Sequence, residues 1–324
     1  MKRRFIIAAA VAALATITSA LPQSPAYPSK SVTLIVPYAA GGLPDTVARV
    51  VGQRLSEKWG HAVVIENKPG GNGVVAAQAL AAKPADGYTL MVTDMSMFTI
   101  NPHTYKSLPY DAQKDFVFIS LTARAPLFLA VHPTVSANNF TEWVAMVKAN
   151  PGKYSYGSSG IGSIHHLTVE SIKSSLGIDI LHVPYKGTGQ SVPAVVSGDV
   201  SAVFSAYPSL AGFAREGKVK LIAVNSEKRS SLAPEIASIA ETTIPGFEFA
   251  PTIGFIGAAG LPSTIVNKVA ADVADIVREP AMIEKLKVLG IDPIGGDSRA
   301  YTASIAADRE RYGKAVKVAN IKGE

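Results

Sequence analysis

The 324-residue sequence predicts an α/β protein of two lobes around a shared cleft. Three observations carry that expectation. An extended run, a glycine-rich turn and a helix-periodic stretch follow one another twice, over residues 31–57 and again over residues 153–176. Short apolar runs alternate with helix-periodic stretches along the chain, the order that strand–helix–strand units produce. Two further runs, residues 126–131 and 252–256, are placed to carry the chain to a second lobe and back. Two crossings make a hinge, about which the lobes can close on a ligand.

Residues 32–36 are β-branched and apolar, as in a buried strand, and residues 37–42 turn the chain. Pro44 suits a first helical turn, where its missing N–H costs nothing, and Asp45 suits the positive end of the helix dipole. Val47, Val50, Val51, Leu55 and Trp59 fall at helical spacing, and Gly60 caps that helix. A strand follows at residues 62–65, a turn at 68–73, a small-residue helix at 74–82 and a third strand at 88–92. Residues 93–102 read as a loop at the carboxyl end of that strand, where open α/β sheets bind ligands. Residues 116–121 and 126–131 are strands, and Asn138-Asn139 opens a helix over residues 140–150.

The second copy of the pattern ends at Leu176 and Gly177. It continues as a strand at residues 178–183, a turn at 186–189, a helix at 192–196 and a strand at 200–204. Ser205, Ala206, Tyr207 and Pro208 read as the loop after it. The order helix, glycine, strand, turn occurs in both halves, a pseudo-repeat of elements rather than of residues. Residues 220–224 form a strand, and the polar, proline-punctuated residues 226–249 read as surface structure. Helices over residues 263–277, 281–289 and 299–318 then cover the first lobe.

Hydrophobic residues make up 48% and charged residues 17%, which excludes a disordered chain. The net charge is +6, and Lys2, Arg3 and Arg4 supply three of those charges. They open a secretory signal: an apolar run over residues 5–17, too short to span a bilayer, leads to small-residue cleavage sites after Ala20 and Ala26. Removing it leaves about +3, too little and too scattered for a nucleic-acid partner. No cysteine is present, so disulfides, thiol catalysis, thiolate metal sites and lipid anchoring through cysteine are excluded. An exported, cysteine-free chain that is not lipid-anchored fits a bacterial periplasm.

Each glycine turn presents backbone N–H groups at the start of a helix, where they lack intrahelical partners and meet the positive end of the dipole. That makes each an anion site, centred on Gly42 and on Gly160. Asp45 would repel an anion there, so capping its helix and orienting the turn is a role at least as fitting as contact. His165 and His166 are adjacent and point about 100° apart on a helix, a poor chelate pair, so no metal is expected. Ser158 and Ser159 lack a Gly-x-Ser-x-Gly frame, and no phosphate-binding or dinucleotide glycine motif occurs. No catalytic residue and no cofactor are expected.

Gly41-Gly42-x-x-Asp45-x-x-Ala48-Arg49 resembles the signature of the periplasmic solute receptors of tripartite tricarboxylate transporters, the Bug or TctC-type receptors. So do Glu66-Asn67-Lys68-Pro69-Gly70, Asp86-Gly87-Tyr88-Thr89-Leu90, His166-Leu167 and His182-Val183-Pro184-Tyr185-Lys186-Gly187, in order along nearly the whole chain. The resemblance implies a type II, Venus-flytrap periplasmic-binding-protein fold with two hinge crossings and no catalytic activity. Lobe one would be residues 27–125 plus 254–324, lobe two residues 126–253, and residues 1–26 the signal peptide.

The resemblance also implies a small carboxylate held between the two turns with ordered water. The contacts would come from Tyr38, Ala39, Ala40, Gly41, Gly42 and Asp45 on one side. Ser158, Ser159, Gly160, Ile161 and His166, the last as a hydrogen-bond donor, would face them. Met95, Ser96 and Met97, with Ser205 and Tyr207, would shape the rest of the pocket. Ser205-Ala206 stands where relatives often carry Asp-Asn, Met95, Met97 and Phe98 where small polar residues are common, and Pro44 where a hydroxyl residue is common. These departures favour a less polar carboxylate, aromatic or otherwise weakly polar. The partner would be a membrane permease and the receptor a monomer; the rivals are a serine hydrolase using Ser158 or Ser159 and a receptor feeding a sensor kinase.

Overall fold

The computed structural model describes residues 27–230, 233–318 and 321; the expected export segment, residues 1–26, lies outside them. The chain enters lobe one through β1 (Val32–Val36), α1 (Leu43–Trp59), β2 (Val63–Asn67), α2 (Val74–Ala81) and β3 (Thr89–Asp94). Two one-turn helices, α3 (Ser96–Thr99) and α4 (Asn101–Thr104), precede β4 (Phe116–Arg124). Lobe two holds β5 (Leu127–Val131), α5 (Phe140–Ala149), β6 (Ser155–Ser158), α6 (Ile164–Leu176), β7 (Leu181–Pro184), α7 (Thr188–Ser197), β8 (Ala202–Ala206), α8 (Tyr207–Arg215), β9 (Lys220–Val224) and the short α9 (Ile239–Thr242). The chain returns by β10 (Thr252–Ala258) and finishes with α10 (Ser263–Arg278), α11 (Pro280–Val288), β11 (Asp292–Gly296) and α12 (Ser298–Val318).

Each lobe has one sheet, ordered β11-β4-β10-β3-β1-β2 and β7-β6-β8-β5-β9. β1 runs parallel to β2 and β3, and β6 parallel to β7 and β8. Parallel neighbours need crossover helices, which cover the sheet and leave the central strands apolar. β1 has no polar residue but Thr33, and four of its five residues are buried. α1 and α6 both stop at a left-handed glycine, Gly60 at φ 67° and Gly177 at φ 63°, a backbone conformation that residues with a side chain rarely adopt. α5 starts where the Asn139 side chain accepts the Glu142 N–H.

Each crossing strand runs antiparallel to both of its neighbours: β10 lies between β3 and β4, and β5 between β8 and β9. The two crossings touch, for the Ala125 N–H donates to the Pro251 carbonyl at 3.1 Å. Asn225, wholly buried, braces them: its Oδ1 accepts the Leu127 N–H and its Nδ2 donates to the Phe249 carbonyl. Thr252 and Ile253 already pair with Arg124 and Ala123 of lobe one. The return therefore falls at Ala250-Pro251, two residues before the boundary expected at 254.

Three regions differ from the sequence expectation. Residues 93–102 are not a loop: they finish β3 and form α3 and α4, because Met97, Phe98 and Ile100 are wholly buried and pin the backbone. Ser205 and Ala206 belong to β8, and Tyr207 with Pro208 opens α8, a helix start where proline is tolerated. β11, with the sequence Asp-Pro-Ile-Gly-Gly, has no alternation to announce it and pairs with β4 only through tertiary placement.

Candidate functional site

Both glycine turns lie at the carboxyl ends of central parallel strands, β1 and β6, and lead into α1 and α6. In the first turn Asp45 is 3% exposed and works inward. It accepts the Gly41 N–H at 3.0 Å, two bonds from Arg49 at 2.9 and 3.0 Å, and one from Asn67 at 3.0 Å. Burial favours its neutral form, but the donors from Arg49, Gly41 and Asn67 outweigh it and hold the carboxyl below its ordinary value. Asp45 is thus a charged brace for the turn. With the Gly41 amide taken, those of Ala39, Ala40 and Gly42 have no partner among the described residues.

The second turn is braced by hydroxyl–imidazole pairs. Ser158 Oγ lies 2.7 Å from His182 Nε2 and accepts the Gly160 N–H, and Ser159 Oγ lies 2.7 Å from His165 Nδ1. The Gly162 N–H donates to His166 Nδ1, and the Ser163 hydroxyl caps α6 by accepting the His166 N–H. The Ser159 and Ile161 amides are left without a partner among the described residues.

The turns meet across the lobe boundary. A Cβ on Gly42 would stand 2.8 Å from Thr188 Oγ1 of lobe two, and one on Gly187 would stand 3.1 Å from the Ala39 nitrogen. Ser209 Oγ also donates to the Gly41 carbonyl at 3.0 Å. The lobes are closed, and between them lies a small cavity lined by Tyr38, Asp94, Ser159, His165, Thr188 and Ala206, among others. It leaves about 10 Å³ for the centre of a water-sized molecule, room for one water. A mouth of about 240 Å³ adjoins it, shaped by Asn72, Tyr105, Gly160, Ile161 and Lys186, and Tyr38 and Ser159 line both spaces. A larger crevice of about 470 Å³ runs past Arg124, Glu248 and Lys287 and shares no lining residue with either. It offers neither turn's amides, so it is not the site, whatever its size. Among the described residues no group of histidine, aspartate or glutamate side chains could hold a metal ion.

The model of the family described as "Tripartite tricarboxylate transporter family receptor" matches residues 47–321. The chain belongs to that family. Its relatives include a UPF0065 protein of Bordetella pertussis, 35% identical over 82% of each chain. It is similar in structure to Rpa4515 of Rhodopseudomonas palustris, solved with adipate, at 31% identity and TM-score 0.89 over 91% of this chain and 99% of that one. It is also similar to MatC (Rpa3494) of the same organism, solved with bound malate, at 26% identity and TM-score 0.84 over 90% of this chain and 100% of that one. The fold is the two-lobed periplasmic-binding-protein fold, and the family is one of solute-binding receptors, not enzymes.

In this receptor Tyr38, Ser159, Gly160 and Ile161 line the interlobe spaces, and the other twelve residues expected at the ligand line neither, five of them because the fold turns them elsewhere. Met97 is wholly buried beneath Gly73, its sulfur 3.5 Å from Thr93 Oγ1, and Met95 is buried against Thr252. Both are core residues, because the helical path of α3 turns them under the sheet. Ser205 is wholly buried on β8, where alternation gives the cavity Ala206 instead. Tyr207 packs on Phe128 at 5.7 Å. His166 lines neither space: its Nδ1 accepts the Gly162 amide, and its ring stacks on His182 at 4.0 Å. Its neighbour His165 takes the cavity face.

The receptor also has two cavity residues that no sequence motif marked, Thr188 and Asp94. Asp94 ends β3, 4% exposed, and its Oδ1 accepts the Tyr38 hydroxyl at 3.1 Å and the Ser96 N–H at 2.8 Å. Burial pushes its carboxyl upward against these donors. The signal was available: the last residue of a central parallel strand borders the ligand crevice.

The buried histidines give the receptor an acid-sensitive second lobe. Burial pushes His165 and His166 down to about 4, the latter helped by Lys173. His182 falls to about 3 through burial and its neighbours His166 and Lys173, against Glu170. Unfolded histidine titrates near ~6.5, so the unfolded chain binds more protons below that pH, and stability is lost as pH falls from about 6.5 towards 4. The slope is up to about 1.4 kcal/mol per pH unit for each of His165 and His166. The melting temperature is expected to fall between pH 7 and pH 5, and to fall less steeply in His166→Gln. A profile with the same slope in both proteins would contradict this account.

Proposed function

We propose that this receptor works in the periplasm, captures a small organic carboxylate between the two turns and delivers it to the permease of a tripartite tricarboxylate-type transporter. One observation carries the reading: the two glycine turns, one from each lobe, meet across the boundary, and the unpartnered Ser159 and Ile161 amides of the second border the interlobe space that Tyr38 of the first also lines. No lysine or arginine lines its inner part, so neutral dipoles would do the holding. Closing the lobes removes the acid from water, which strengthens every such bond. The adipate and malate in the two similar structures support the same ligand class. The ground for an aromatic acid is weaker than the sequence suggested, since Met95, Met97 and Phe98 lie in the core. The contacts of Ser158 and Ser159 with histidines brace the turn and need no hydrolytic role.

The test is a thermal melt and calorimetry with adipate, malate, succinate, benzoate and amino acids on the mature protein. A ligand at 100 times its Kd adds about 2.7 kcal/mol of stability, which is read as a raised midpoint. Binding of one or more acids is the expected outcome. Stabilisation by nothing in the panel would overturn the proposal, and stabilisation by amino acids alone would overturn the preference for a less polar acid.

A further inference from the structure

The interlobe cavity contains a carboxylate that capture of an acid does not call for. Asp94 lines it beside Tyr38, and its partners are the Tyr38 hydroxyl and the Ser96 amide and hydroxyl, all neutral donors. The two bonds from the Tyr38 hydroxyl and the Ser96 amide both fall on Oδ1. A residue needed only to start α3 or to anchor Tyr38 would serve as well if it were asparagine and would not bring a negative charge to an anion site. That charge has a cost, because two carboxylates in one dry space repel and each disfavours the other's ionisation. A hydrogen-bond donor on the ligand turns the cost into a gain: a hydroxyl or ammonium group is met by a charged acceptor, the stronger kind of bond.

We propose that Asp94 sets the specificity of this site by selecting small carboxylates that also carry a hydroxyl or ammonium donor. Tyr38 ties Asp94 to the first turn, since its backbone opens that turn and its hydroxyl reaches Asp94. Lobe two supplies no competing charge at this level, since β8 offers Ser205, turned away, and Ala206. An acid without the donor leaves Asp94 desolvated and unanswered when the lobes close, and sites built to hydrogen-bond a substrate group reject the analogue that lacks it. This inference rests on the carboxylate reading above.

The experiment uses matched pairs that differ by one hydroxyl: butanoate and 3-hydroxybutanoate, succinate and malate, benzoate and 3-hydroxybenzoate. Calorimetry is run on the unaltered protein, on the isosteric Asp94→Asn and on Asp94→Ala. The unaltered protein is expected to prefer the hydroxylated member of at least one pair by tenfold or more, roughly the discrimination of a charged hydrogen bond. Asp94→Asn is expected to cut that ratio to threefold or less while the plain acid binds as well as before or better. A merely structural Asp94 would weaken both members equally and leave the ratio untouched, and that result overturns the inference while the carboxylate reading stands. Loss of all binding to the unaltered protein overturns both. If Asp94→Ala does not fold, Asp94→Asn carries the comparison, because it keeps the shape and the Oδ1 acceptor.

Discussion

Gly189→Ala is expected to weaken ligand capture about 10- to 100-fold while leaving the melt of the ligand-free protein unchanged or slightly raised. Gly189 is the second residue of α7, with an ordinary helical backbone, so alanine there is favourable to lobe two by itself. The obstacle is on the other lobe: its Cβ would strike the Ala40 carbonyl oxygen and stand 3.3 Å from Ala39 Cβ. A carbonyl in a braced turn cannot move aside as the end of a side chain would, and overpacking of this kind costs about 1–3 kcal/mol. The clash exists only when the lobes are closed, so it is charged to closure and not to folding. By population-shift arithmetic, whatever disfavours the competent state lowers apparent affinity by the same factor. Gly212→Ala on α8 is the control, because no atom lies within 4 Å of its added Cβ. Small-angle scattering with ligand present is expected to show Gly189→Ala more open than the control. Equal affinity in the two variants would mean that the turns at residues 38–42 and 187–189 do not meet when ligand is held.

Gly254→Ala is expected to destabilise the fold by about 3 kcal/mol, near the upper end for overpacking, with the urea midpoint falling and the slope unchanged. Gly254 lies mid-way along β10, between β3 and β4, where the pairing register shifts. An added Cβ would overlap the Tyr301 ring and the Ser120 carbonyl oxygen. Tyr301 is wholly buried and fixed edge-on against Phe118 at 5.3 Å, and Ser120 is part of β4. Neither can retreat without disturbing the sheet that carries Asp94 and the return crossing. Tyr301→Ala removes the ring but not the carbonyl and leaves a cavity of its own, so the double variant is expected to lose less than the sum of the two single losses. Full stability in Gly254→Ala would show that β10 does not lie this close to Ser120 and Tyr301.

The two predictions rest on different kinds of glycine, and the distinction was invisible in the sequence. Gly60 and Gly177 could be read as helix caps, since each follows the last residue of an apolar helical period. Gly189 and Gly254 carry no such local mark; their need for a missing side chain comes from atoms at Ala40 and at Tyr301, far away along the chain. The same division runs through the site. Asp45 was legible as a brace because its donors, Gly41 and Arg49, are four residues away on one helix end. His166 does not line the cavity, because it stacks on His182 of a distant strand, and His165 lines it instead. A loop after β3 would have put Met95 and Met97 in the pocket. The buried residues Phe98 and Ile100 make it a pair of helical turns, whose rotation sends the thioethers inward.

By itself the sequence determined the local conformations and the kind of chemistry. Period and punctuation specify strands and helices over neighbouring residues, and glycine turns before helices expose amides wherever they occur. The motifs shared with a known family extended that to two lobes and a carboxylate. Only the tertiary structure decided which of those amides stay free, which histidine looks into the cleft and that an aspartate stands there too. Those outcomes depend on closure of one lobe upon the other. Closure sums contacts between residues more than a hundred positions apart, and no local pattern records them.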